Sequence, residues 1–106
     1  MDFNKQINIA LKRGKVELGS KSALTAAKTG KAKLIILASN CPENLKDQIL
    51  KNAKASGIPT HLYSGTSRDL GTVCGKPFIV AAITVKDAGD SEILKLAEGE
   101  DANTKN

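Results

Sequence analysis

The sequence predicts an α/β protein: a single-domain three-layer α/β/α sandwich around a central four-stranded mixed sheet. Three observations predict it. Helix-like and strand-like patterns alternate regularly along the chain. Two continuous apolar runs, "KLIILAS" and "FIVAAITV", read as strands buried on both faces. No internal repeat, linker or low-complexity segment interrupts the alternation before the polar end "EGEDANTKN".

The elements follow in the order α-β-α-β-α-β-α-β-α. Phe3, Ile7, Ala10 and Leu11 recur at helical spacing, so residues 2–13 read as an amphipathic helix that Gly14 ends. Val16 and Leu18 alternate with Lys15 and Glu17, a short strand over 15–19. Ser20 suits the N-cap of a second helix, which Leu24, Ala27 and Lys28 continue to Gly30. After the strand "KLIILAS", Pro42 stands at a helix start, where its missing N–H costs nothing. Leu45, Ile49 and Ala53 mark one face of that helix, and Gly57 ends it. "THLY" is a short third strand. "SGTSRDLGTVCGK" reads as a turn, a short helix and another turn, and leads into "FIVAAITV" as the fourth strand. Asp90 or Ser91 can cap a last helix carrying Ile93, Leu94 and Ala97. Residues 1–97 are expected to form the domain, and 98–106 a flexible polar tail.

The composition bounds the function. With 106 residues there is room for one ordinary domain. Phe3, Tyr63 and Phe78 are the only aromatics, so the core is aliphatic. No apolar run approaches the roughly 20 residues of a membrane span, and residues 1–15 lack the apolar block of a secretory signal. A cytoplasmic protein with no membrane partner is expected. His61 is the only histidine, which excludes a multi-histidine metal site. Cys41 and Cys74 supply neither a disulfide framework nor metal-ligand spacing, and free thiols are expected. No cofactor is expected.

Charge is unevenly distributed. The whole chain carries a formal net charge of +5, but residues 1–33 hold eight basic against two acidic residues, a net +6. Residues 87–106 hold two basic against six acidic, a net −4. A body this basic favours a polyanionic partner.

Three stretches carry candidate chemistry. In "GSKS", Gly19 allows another backbone to approach closely, and Ser20 and Lys21 open a helix whose unpaired N–H groups attract phosphate. The alternative is an ordinary cap with a solvated lysine. In "SNCPENLK", Asn40 follows a buried strand and can donate and accept at once, as reading a base edge requires. Capping a turn is the commoner role of such an Asn. Cys41 beside it has no neighbouring acid or histidine in sequence to activate it. In "LGTVCGKPF", Gly71, Gly75 and Lys76 are reminiscent of a phosphate loop. The glycines are one residue too close for G-x-x-x-x-G-K-[ST], however, and Pro77 replaces the Mg²⁺-ligating hydroxyl. What remains is a basic, glycine-flexed turn leading to Phe78, which either packs on an RNA base or sugar or begins a core strand. A dinucleotide-binding G-x-G-x-x-G is absent, and no paired carboxylates converge.

Taken together, "LGSKSALTAAKTGKAKLIILASNCPENLKDQI", "LGTVCGKPFIV" and "AGDSEIL" resemble the large-subunit ribosomal protein family "L-thirty-e" of archaea and eukaryotes, within the wider kink-turn-binding superfamily. The resemblance spans roughly Phe3 to Leu96. It rests on the G-x-K-x helix start, the A-[SA]-N-x-P turn and L-G-T-x-x-G-K-x-F in that order. It implies a non-enzymatic α/β/α sandwich that binds a sharply bent rRNA internal loop with the loops at one end. On matching positions, Gly19, Ser20 and Lys21 would meet the RNA backbone and purine edges, Asn40 a base, and Phe78 an unstacked nucleotide, with Ile79 and Val80 beside it. Lys76, Lys46 and Arg13 are further candidates for phosphate contacts. The implied partners are ribosomal RNA and other large-subunit ribosomal proteins, with a free monomer expected. The Asn-Glu pair of guide-RNA-binding relatives is absent near Ser20, which favours the ribosomal branch. Alternatives are a kink-turn protein of another ribonucleoprotein or of its own mRNA, and a small nucleotide-binding enzyme using Gly71 to Lys76.

Overall fold

The computed structural model describes residues 2–97. Its elements are α1 (Phe3–Arg13), β1 (Lys15–Leu18), α2 (Ser20–Thr29), β2 (Leu34–Leu37), α3 (Glu43–Ser56), β3 (Thr60–Leu62), α4 (Ser67–Val73) and β4 (Ala82–Asp87). The strands form one mixed sheet in the order β1-β4-β2-β3. β4 runs antiparallel to both β1 and β2, while β2 and β3 are parallel. The parallel pair needs a crossover, which α3 supplies.

The sandwich follows from the alternation of side chains along β2, whose four residues are all buried. Leu34 and Ile36 pack with Ile7 and Ala10 of α1 and Leu70 of α4 on one face. Ile35 and Leu37 pack with Ala23 and Ala27 of α2 and Ile49 and Ala53 of α3 on the other. A strand buried on both faces has no polar side, which explains the unbroken apolar run. Cys41 belongs to the α2–α3 layer and Cys74 to the α1–α4 layer, and both are free and buried. The sheet lies between them.

The structure corrects three details of the sequence reading. The fourth strand begins at Ala82 rather than Phe78 and runs on to Asp87. Its partners explain the shift. β1 ends opposite Ile83, Gly19 N–H reaches the Ala82 carbonyl, and Ala38 N–H reaches that of Ala81. Before Ala81 no strand is left to pair with, and the chain folds over α4 instead, with Val80 N–H donating to the Ser67 carbonyl at 2.9 Å. Second, Gly19, not Ser20, caps α2, and Ser20 is the first helical residue. Third, Pro42 is the N-cap of α3, one residue before the helix. The expected last helix is present: after a turn at Ile93 and Leu94, the last described residues, Lys95, Leu96 and Ala97, are helical. They are tied to α1 by Glu92 N–H donating to Gln6 Oε1 at 2.7 Å, and Ile93 is buried. The segment 98–106 lies outside the described residues.

Candidate nucleic-acid interface

β1, β2 and β3 all end, and β4 begins, at one end of the sheet. Leu18 pairs with Ile83, Leu37 with Ala82, and Leu37 with Leu62. The loops that follow β1, β2 and β3, and the loop that precedes β4, therefore share that end. The strands bring Gly19, Ser20, Lys21, Asn40, Lys46, Lys76 and Phe78 to it, although the sequence spreads them over about sixty positions.

Gly19 has φ +119° and ψ 153°, a backbone conformation that L side chains rarely adopt. A Cβ built there meets nothing within 4 Å, so the backbone is open to an approaching molecule. No side chain caps α2, and the first backbone bond into the helix is Ala23 N–H to the Gly19 carbonyl. Among the described residues, the N–H groups of Ser20, Lys21 and Ser22 are thus left to the solvent. They form the positive end of a ten-residue helix. The Lys21 side chain is exposed beside them.

Asn40 occupies the turn after β2. Its Oδ1 accepts the N–H of Ser67, the first residue of α4, at 2.7 Å. Its Nδ2 makes no hydrogen bond among the described residues. The amide is therefore a fixed donor: one end is committed to the protein, and the other can reach an acceptor such as a purine N7 or O6. Lys46, half-buried in the first turn of α3, adds positive charge next to Cys41.

The third loop stands on α4. Gly71, which the phosphate-loop comparison placed in a turn, is buried inside the helix, and a Cβ there would fall on the Phe78 carbonyl. Lys76 N–H donates to the Gly71 carbonyl at 2.9 Å, and Gly75 takes φ +72°. Held this way, the loop turns Val80 into the core at 1% exposure and pushes Phe78 and Ile79 into solvent at 56% and 68%. The burial of Val80 corrects its place among the contact candidates: its side chain anchors the loop and does not face outward. The apolar run "FIV" thus contains two surface residues and one core residue.

Arg13 does not join this group. It ends α1 at the opposite end of the sheet, where Lys15 pairs with Asp87, and lies 3.8 Å from Asp90. The sequence reading missed the supports: Ser67, which links Asn40 to Val80, and Gly71, whose missing side chain lets Phe78 approach. "RDLGTV" looks like a helix with an indifferent glycine unless the loop that crosses it is known.

Neither cysteine near these loops is activated as a nucleophile. Burial pushes both the Cys41 and the Cys74 thiol above the ordinary cysteine range, against the opposing pull of Lys46 and Lys76 respectively. Raised thiols are poor nucleophiles. Among the described residues, no three His, Cys, Asp or Glu side chains gather to hold a metal. No helix among them is long and apolar enough to cross a membrane.

The model of the ribosomal protein L7Ae/L30e/S12e/Gadd45 family matches residues 1–95. The chain belongs to this family. Within it, the large ribosomal subunit protein eL30 of Methanothermobacter thermautotrophicus is 49% identical over 96 residues, covering 91% of this chain and 98% of that protein. The eL30 of Methanocaldococcus jannaschii is 48% identical, covering 92% and 89%. That of Sulfurisphaera tokodaii is 45% identical, covering 88% of each. A solved structure from Bacillus halodurans C, described as a protein with unknown function, superposes with a TM-score of 0.69 at 26% identity, covering 90% of this chain and 93% of that one. The two chains thus share one fold.

Proposed function

We propose that this family member is a non-catalytic, structural constituent of the large ribosomal subunit, and that it binds a kinked rRNA internal loop through the end of the sandwich described above. Its working place would be the ribosome in the cytoplasm, among rRNA and other large-subunit proteins. One observation carries the reading. Uncapped amides with Lys21, a donor-only Asn40 amide and the exposed Phe78–Ile79 pair converge on one end of the fold, in a chain that matches eL30 proteins over nearly its whole length.

Each part suits one feature of bent RNA. The start of α2 and Lys21 offset the charge of phosphates crowded at a kink. Asn40 donates to the edge of a base exposed by the distortion, and Phe78 covers an unstacked nucleotide. Ile79 extends the apolar contact. Lys46 and Lys76 add charge around these groups.

The test is a titration against two RNAs of equal length and charge at two salt concentrations. One carries a kink-turn with tandem G·A pairs and the other is a plain duplex. Preference for the kinked RNA that persists at the higher salt supports the reading. Equal affinities that fall together with salt would reduce the interface to unspecific charge and overturn it.

A further inference from the structure

A second basic feature lies outside this interface. On the α2–α3 side of the sheet, α2 lies over β4 and leaves edge strand β1 bare, because Val16 and Leu18 turn their side chains to the α1 layer. The result is a groove between α2 and the β1 edge, floored by Glu17 and Lys86 and walled by Lys21, Ser22, Thr25 and Thr29. At Lys31 and Lys86 it runs into a second depression that adds Lys15 and Lys33. The register slips between Lys15 and Val16, so Lys86 has no opposite residue on β1.

The groove and the depression are predominantly positive, with five lysines against Glu17 and Asp87. Glu17 pairs with Lys86 at 3.4 Å, and Asp87 Oδ1 accepts the N–H of Gly89. Lys15, Lys21, Lys31 and Lys33 have no ion pair among the described residues. They account for half of the eight basic residues before position 34. Between the lysines the wall is made of hydroxyl residues and Ala26, with no large apolar side chain. Protein partners anchor chiefly through buried aromatic and aliphatic groups, which this groove does not offer. A phosphodiester backbone needs only spaced cations and hydrogen-bond donors.

We infer that this groove is a phosphate track, which carries a duplex stem of the bound RNA away from the kink, from Lys21 along α2 to Lys31 and Lys33. The inference rests on the RNA-binding reading above and extends it to a second surface. Lys21 belongs to both, which makes the two continuous. The ten residues from Lys21 to Lys31 span roughly 15 Å at helical rise. One strand of a duplex presents about four phosphates over that length.

The experiment uses the full chain and two RNAs with the same kinked loop, one with minimal stems and one with the stems lengthened by a helical turn. Salt titrations compare the wild type, the double variant Lys31→Gln/Lys33→Gln and Lys21→Ala. The wild type should bind the longer RNA more tightly and with a steeper salt dependence. The double variant should lose roughly eightfold per lysine on that RNA at about 0.1 M salt, its log–log slope shallower by about 0.9 per lysine. It should match the wild type on the minimal RNA. Wild-type behaviour of the double variant on the longer RNA overturns the track, and so does an equal loss on both RNAs. In either case, a loss on both RNAs from Lys21→Ala leaves the kink reading standing. If Lys21→Ala binds both RNAs like the wild type, the underlying reading falls, and the track with it.

Discussion

Asn40 Oδ1 accepts the backbone N–H of Ser67 at 2.7 Å, and the Ser67 carbonyl in turn accepts from Val80 N–H at 2.9 Å. The loop after β2, the start of α4 and the loop before β4 are therefore joined through one buried residue. Moving any of the three displaces the others. The Asn40 loop and the Phe78 loop are thus coupled through α4, and such coupling lowers the ordering cost of a partner recognised by shape.

That relationship separates the two halves of the Asn40 amide. Asn40→Asp keeps an oxygen for Ser67 N–H and removes the outward donor, adding negative charge that would repel the phosphates of the proposed RNA. It should unfold within about 1 kcal/mol of the wild type while losing tenfold or more in kinked-RNA affinity. Asn40→Ala removes both halves and leaves the Ser67 N–H unpaired, at a cost of about 1–3 kcal/mol. Denaturant melts beside RNA titrations distinguish the two. Equal stability loss in both variants would mean that the Ser67 bond is not what the oxygen contributes.

Gly71 gives a prediction at a distance. A methyl group there meets the Phe78 carbonyl, so Gly71→Ala must push the loop off α4. Overpacking of this kind costs about 1–3 kcal/mol, or roughly 5–20 °C in Tm for a domain of this size. RNA affinity should fall as well, although Gly71 is buried and cannot touch RNA. Unchanged affinity in a destabilised Gly71→Ala would show that the position of the loop is irrelevant to binding.

The architecture was legible in the sequence because periodicity reports burial. β2 is sandwiched, so its run is unbroken, and α1 and α3 are covered on one face, so their apolar residues recur at helical spacing. The site was legible only as separate motifs. Strand order brings Gly19, Asn40 and Phe78 together, and no local pattern encodes an order such as β1-β4-β2-β3. The misplaced strand start has the same root. Phe78 and Ile79 are apolar yet exposed, and one-dimensional pattern reading cannot tell an exposed apolar residue from a buried one. Arg13 was grouped with the site by charge alone, and the antiparallel turn after α1 carries it to the other end.

The two thiols predict a pH dependence. Burial raises both above the ordinary cysteine range, so the unfolded chain ionises first as pH climbs. A group with a raised folded value leaves stability intact below its unfolded value. It draws stability down as pH rises through and beyond that value, until the folded thiol also titrates. Stability measured from pH 7 to 10 should thus fall more steeply in the wild type than in Cys74→Ala above about pH 9. Below about pH 8 the difference between the two should stay constant. Parallel curves across the whole range would contradict the burial-driven shift.

Phe78 offers the sharpest separation of folding from binding. A core phenylalanine truncated to alanine costs about 3–5 kcal/mol, whereas a surface residue away from special features changes stability by at most about 0.5 kcal/mol. At 56% exposure, with its backbone carbonyl rather than its ring placed against Gly71, Phe78 belongs to the second group. Phe78→Ala should therefore melt close to the wild type. On kinked RNA it should lose about 1–3 kcal/mol, the worth of one base stacked on an aromatic ring. Phe78→Leu should recover little of that loss, because a branched aliphatic offers area without a flat face. Full recovery by leucine would mean that the position supplies apolar contact alone, and that the ring stacks on nothing. A large drop in Tm for Phe78→Ala would instead return the ring to the core, and the exposed pair with Ile79 would cease to mark the RNA-facing surface.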